Sequence, residues 1–185
     1  MSPELHPAVF LDRDGVLIEN RDEYVLSWAD VVILPGALEA LAKASRSSYK
    51  IVIVTNQSAI GRGLISRSMA EEINHQLLKK IKAAGGRVDG VFMCPHRPED
   101  SCTCRKPQPG LLFQAAQALS LDLSRSILIG DALSDITAGQ AAGIAQTILV
   151  QTGRGKSQVL RAEAGHLKPF LVYETLADAL AEFIT

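Results

Sequence analysis

Ala8-Val9-Phe10-Leu11-Asp12-Arg13-Asp14-Gly15 joins a short apolar run to two carboxylates set two residues apart. Four consecutive apolar residues closed by polar chemistry suit a strand covered on both faces, the environment of a parallel sheet. The pattern recurs downstream. Ile51–Val54 runs into Thr55 and Asn56, and Ile127–Ile129 runs into Gly130 and Asp131, while Val88–Met93, Thr147–Val150 and Leu171–Tyr173 supply further strands. Helix-period segments separate them. Pro35 and Gly36 open a helix to about Ser47 that carries Leu38, Leu41 and Ala42 on one face. Ser66 has the chemistry of an N-cap for a long helix with Met69, Ile73, Leu77 and Ile81 inward, stopped by Gly85 and Gly86. Gly110–Leu119, a stretch ending near Ala142 and Leu176–Phe183 complete the helices, residues 95–109 read as irregular, and Gln151–Gly165 reads as a mobile loop. The alternation predicts an α/β, three-layer fold with a central parallel sheet.

The bulk properties narrow the function classes. At 185 residues the chain suits one domain, 1–185. A net charge of -1 gives no field for a polyanion, so nucleic acid is not an expected partner. The N-terminal segment lacks a basic start and a long apolar run, and no apolar stretch approaches a membrane span, so a cytoplasmic protein without membrane contact is expected. No heptad or large apolar stripe is evident, which leaves a monomer as the expectation.

In an open parallel sheet, ligands bind beyond the carboxyl ends of the strands. Three strands here deliver Asp12, Thr55 and Asp131 to that edge, and Lys106 arrives on a loop before a helix. With Asp14 and Asp135 they form an inventory suited to phosphoryl transfer. A phosphomonoester carries about two negative charges, so a carboxylate nucleophile needs a hard cation such as Mg2+ beside it. Asp12 and Asp131 can hold that ion, leaving Asp12 to attack. Asp14, on the same side of an extended chain, can protonate the leaving oxygen and later activate water. Thr55 and Lys106 suit the non-bridging oxygens. Asp135 can cap the following helix or orient Lys106.

All three cysteines and one of four histidines fall in the span 94–104, as Cys94-Pro95-His96 and Cys102-Thr103-Cys104. Soft thiolates with an imidazole in a closed four-ligand set suit structural Zn2+. Such an ion would tie the loop directly before Arg105 and Lys106.

Asp12-Arg13-Asp14-Gly15, Thr55-Asn56-Gln57-Ser58, Arg105-Lys106-Pro107 and Gly130-Asp131-Ala132-Leu133-Ser134-Asp135 together resemble the four ordered motifs of the haloacid dehalogenase (HAD) superfamily, over most of the chain. The resemblance implies a HAD-like, Rossmann-like fold with Asp12 as nucleophile, Asp14 as acid/base and Asp131 as an Mg2+ ligand, with Asp14 adding its backbone carbonyl. Within the superfamily the short zinc loop resembles the branch of phosphatases that remove the 7-phosphate of D-glycero-D-manno-heptose 1,7-bisphosphate in lipopolysaccharide precursor synthesis. The histidinol-phosphate phosphatases are the alternative branch, and a silent phosphosugar-binding protein is the alternative of a different class. A small phosphosugar is thus the expected partner, met by Asn20, Tyr24, Asn56, Gln57, Ser58 and Arg105, with Arg62 as a further helper. A histidinol phosphate site would instead draw on Glu19, Asp22 and Glu23. Ala132 departs from the pattern, since the family often has a lysine there. Neither the stretch after the first motif nor that after the second strand is long enough for a cap domain, so an open site is expected.

Overall fold

A computed structural model describes residues 4–184; the outermost positions of the expected 1–185 domain lie outside the described residues. Six strands, β1 (Ala8–Leu11), β2 (Lys50–Asn56), β3 (Gly90–Cys94), β4 (Ile127–Gly130), β5 (Gln146–Val150) and β6 (Leu171–Tyr173), form one sheet in the order β3-β2-β1-β4-β5-β6. Every pairing is parallel. The helices are α1 (Ala37–Ala44), α2 (Ser58–Gly61), α3 (Arg67–Ala83), α4 (Gly110–Leu119), α5 (Leu133–Ala142), α6 (Gly155–Val159) and α7 (Leu176–Phe183).

Period-two alternation divides the strands between two cores. Val9, Leu11, Ile51, Ile53, Ile127, Ile129, Ile148 and Val150 face a core closed by α1, α3 and α7. Ala8, Phe10, Val52, Val54 and Leu128 face the other, closed by α4 and α5. This is the expected three-layer α/β arrangement. The strand order changes direction between β1 and β4, and the crevice at such a switch point is where a doubly wound sheet binds its ligand. Asp12 and Asp131 follow these two strands. The register holds them together: Leu11 pairs with Ile129, and the Asp12 amide donates to the Ile129 carbonyl at 3.0 Å.

Two expectations need correction. Met69 is 46% exposed, and the inward stripe of α3 runs through Ala70, Ile73, Asn74, Leu77 and Ile81. Steps of four residues overshoot the helical turn by about 40° each, which carries Met69 off the buried arc. The stretch Gln151–Gly165, expected as a mobile loop, contains α6 and a 3-10 segment (Ala162–His166). Its polar residues satisfy local backbone turns that hydropathy does not reveal. The Ser66 cap is as expected, its hydroxyl accepting from the Met69 amide at 3.1 Å. Among the described residues no cap domain is inserted: Trp28–Asp30 is a single 3-10 turn between β1 and α1, and α2 is the one element between β2 and α3. No helix among them is long and apolar enough to cross a membrane.

Candidate active site

The carboxyl edge of the sheet carries a cavity of about 380 Å³ whose lining includes Asp12, Asp14, Arg105, Lys106 and Asp131. At its floor Lys106 is buried, with its ammonium 3.1 Å from Asp12, 2.5 Å from Asp135 and 2.8 Å from the Val54 carbonyl, to which it donates. Burial alone would lower the pKa of this amine, but Asp12 and Asp135 outweigh it and raise it. Asp135 fills both roles foreseen for it, since its other oxygen accepts from the Ala132 amide at 3.1 Å at the start of α5.

Asp12 Oδ1 accepts from the Arg13 amide at 2.7 Å and faces Lys106. Burial pushes its carboxyl up to about 8; Lys106 opposes the shift, and Asp135, Asp131 and Asp14 add to it. Asp131 is pushed up to about 6, first by burial and then by Asp135. Three carboxylates thus face one another with too little positive charge among them. Oxygens of Asp12, Asp131 and Asp135 all lie within 4.8 Å of one another. A hard donor set with surplus negative charge fits Mg2+, with Asp12 and Asp131 as the side chains to hold it, because Asp135 is already committed to Lys106 and α5.

Asp131 is held from two loops. The Arg154 amide donates to its Oδ2 at 2.8 Å and Asn20 Nδ2 at 3.2 Å. Gly15 (φ 86°) and Gly153 (φ 55°) flank it in left-handed conformations, and a methyl group at either would collide with its carboxylate. Thr152 Oγ1 ties the same two loops by donating to the Gly15 carbonyl at 2.6 Å.

The site residues expected from the sequence come together, several with protein partners of their own. Asn56, Gln57, Ser58, Asn20, Tyr24 and Arg105 all line the cavity. Asn56, however, clamps the Lys106 backbone with both ends of its amide, at 2.9 and 3.1 Å. Thr55 is fully buried and absent from the lining; its hydroxyl donates to Asp14 at 3.5 Å and accepts from Gln57 Nε2 at 2.9 Å. Arg62 stands apart, paired with Glu99 at 3.6 Å. Glu19, Asp22 and Glu23 are not lining residues, whereas Arg21 and Arg154 are. Neither arginine was singled out in the sequence, because each reads there as an ordinary loop charge.

The second cluster sits beside the first. Cys94 Sγ lies 3.6 Å from Cys102 Sγ and 3.2 Å from Cys104 Sγ, and Cys102 and Cys104 are 3.5 Å apart. His96 Nδ1 is 3.3 Å from Cys104 and 3.6 Å from Cys94. A tetrahedral ion with bonds of about 2.3 Å to sulfur sets sulfurs roughly 3.8 Å apart, so the four atoms already approach the corners of a zinc tetrahedron. Burial and the Cys104 contact push Cys94 up to about 12. Burial acts upward on Cys102 as well, but the Arg105 amide and the neighbouring thiols bring it down to about 7.

A family described as HAD-hydrolase-like matches residues 103–179. D-glycero-beta-D-manno-heptose-1,7-bisphosphate 7-phosphatase of Bordetella bronchiseptica is 39% identical over 174 residues, 94% of this chain and 95% of that protein. The chain belongs to the HAD-like hydrolases. The enzyme of the same name from Neisseria meningitidis serogroup A is 34% identical over 92% of this chain and 90% of its own. Among solved structures, D,D-heptose 1,7-bisphosphate phosphatase from B. bronchiseptica complexed with magnesium and phosphate superposes with a TM-score of 0.87 at 35% identity, covering 95% of this chain and 97% of that one.

Proposed function

We propose that this HAD-like hydrolase is a Mg2+-dependent phosphatase, a single catalytic domain that removes the 7-phosphate of D-glycero-D-manno-heptose 1,7-bisphosphate through an aspartyl-phosphate on Asp12. The observation that carries the reading is the convergence of Asp12, Asp14, Lys106 and Asp131 on one cavity, in a chain whose relatives over nearly its full length are named for that reaction. Bound between Asp12 and Asp131, Mg2+ would offset the charge of the ester so that a carboxylate can approach phosphorus.

The residues divide the work. Lys106 and the Arg13 amide hold Asp12 Oδ1, leaving Oδ2 to attack. As the bond from Oδ2 to phosphorus forms, the bond to the leaving oxygen breaks and Asp14 gives that oxygen its proton. Asp14 then takes a proton from water, the water oxygen bonds to phosphorus, and Asp12 is released with inorganic phosphate. Arg105, Arg21 and Arg154 on the cavity wall supply positive charge for a second phosphate, in place of a lysine at Ala132. The absence of Glu19, Asp22 and Glu23 from that wall disfavours an ammonium and imidazole substrate such as histidinol phosphate. Zn2+ on Cys94, His96, Cys102 and Cys104 fixes the loop from which Arg105 and Lys106 extend, and takes no part in the chemistry.

Hydrolysis of the β-anomer of the bisphosphate, the anomer for which the relatives are named, should require added Mg2+ and fall by at least about 10³-fold in Asp12→Asn. Activity without Mg2+, or an undiminished variant, refutes the mechanism. A higher kcat/KM for histidinol phosphate refutes the substrate.

A further inference from the structure

Among the described residues the largest fully buried side chain is a charged one, Arg13, between the two aspartates of the first motif. Burying a guanidinium is costly unless every part of it is engaged. Its Nε donates to Asp14 Oδ2 and its Nη2 to Asp14 Oδ1, each at 3.1 Å, so the planar fork meets both oxygens of one carboxylate. Its Nη1 donates to Asn74 Oδ1 at 2.9 Å. Asn74 is itself unexpected, being the one polar residue on the otherwise apolar inward stripe of α3. Gln57 Nε2 adds a further bond to Asp14 Oδ2 at 2.8 Å.

Resting on the reading of Asp14 as the proton donor, we infer that Arg13 and Asn74 are positioning residues that fix its carboxyl for the leaving oxygen. They act through Asp14, from positions outside the cavity lining. Arg13 Nε, Gln57 and Thr55 all converge on Oδ2, whereas Oδ1 accepts from Nη2 alone. Oδ1 therefore keeps the freer lone pair and is the oxygen left to meet the leaving group. Asn74 braces the fork from the far end, so that the guanidinium plane, and with it the plane of the carboxyl, cannot rotate.

The test is a leaving-group series on the Mg2+-loaded enzyme, measured as kcat/KM, which reports the steps up to departure of the leaving group. A nitrophenolate departs without a proton, and an alkoxide does not. Asp14→Asn serves as the reference and should lose far more activity on ethyl phosphate than on 4-nitrophenyl phosphate. Arg13→Lys, which keeps the buried charge but not the fork, and Asn74→Leu should follow it, losing about tenfold more on the alkyl ester than on the aryl ester. Asn74→Asp, which retains the acceptor, should keep the wild-type ratio. Equal losses on both esters in Arg13→Lys and Asn74→Leu, or no loss, overturn the inference while Asp14→Asn still discriminates. If Asp14→Asn itself fails to discriminate, the acid assignment falls and this inference with it.

Discussion

The two polar clusters of this protein are neighbours built on opposite plans. Asp12, Asp131 and Asp135 come from distant parts of the chain and meet because β1 and β4 lie side by side at the switch point of the sheet. Cys94 ends the edge strand β3, and His96, Cys102 and Cys104 follow it within one short loop. The oxygen cluster is preformed by strand pairing and crowded with negative charge, so a metal there relieves repulsion in a frame that already exists. The sulfur cluster has only Cys94 on that frame, and a metal there would tie the loop carrying the other three ligands to it. Loss of the ion should therefore silence the first site without loosening it, and loosen the second.

Lys106 links the two plans and gives the largest expected effect. Replacing it with Met removes the cation between Asp12 and Asp135. The expected loss is about 10²- to 10³-fold in kcat/KM, with stability lower by about 3 kcal/mol in urea unfolding because two buried carboxylates lose their partner. A variant with wild-type stability would mean that the buried pair is not what holds this floor together.

Cys104→Ser probes the loop alone. Metal analysis should show zinc lost, protease cleavage should accelerate within residues 97–103, and kcat/KM on the bisphosphate should fall about tenfold. Withdrawal of Mg2+ should leave the cleavage pattern unchanged. Equal sensitivity of the loop to both metals would erase the contrast.

The pH dependence sharpens it further. In the metal-free fold Asp12 is raised to about 8, against about 3.9 in an unfolded chain. The stability this proton contributes is complete below the unfolded value and is lost as pH rises through the folded one. Asp131, raised to about 6, follows the same sign at lower pH. Mg2+ takes the place of these protons, so the Tm increase from added MgCl2 should be larger near pH 8.5 than near pH 5.5. The reverse order would contradict the assignment of both ligands. The smallest effect belongs to Arg62→Ala. An exposed pair with Glu99 is worth under about 1 kcal/mol, and kcat/KM should stay within about twofold; a larger kinetic loss would return Arg62 to the substrate site.

The same contrast explains what was legible in the sequence. The central strands β1, β2, β4 and β5 announced themselves because both faces are buried and each is a near-continuous apolar run. The sulfur cluster was legible because its ligands are local, and Asp12 and Asp131 because each directly follows a strand. Arg13 was not, since a charged residue between two aspartates has the composition of a solvated turn, and only the packing of α3 over it makes it interior. Asn56 and Thr55 were placed at the right edge, but their protein partners were not foreseen. Side-chain partners such as the Lys106 backbone come from a segment far along the chain, whose approach no local pattern records. Arg21 was missed beside Glu19, Asp22 and Glu23 for a related reason: the turn that decides which of four neighbouring charges faces inward depends on contacts with the rest of the fold.

The corner made by Gly15, Thr152 and Gly153 around Asp131 has an evolutionary consequence. The loop after β1 and the loop after β5 cannot drift independently, because each is a mould for the other and the carboxylate is cast between them. An insertion in either would be tolerated by the sheet yet register as a displaced metal ligand, so lineages that diversify their substrates are expected to vary the stretch near Tyr24 and to leave this corner intact.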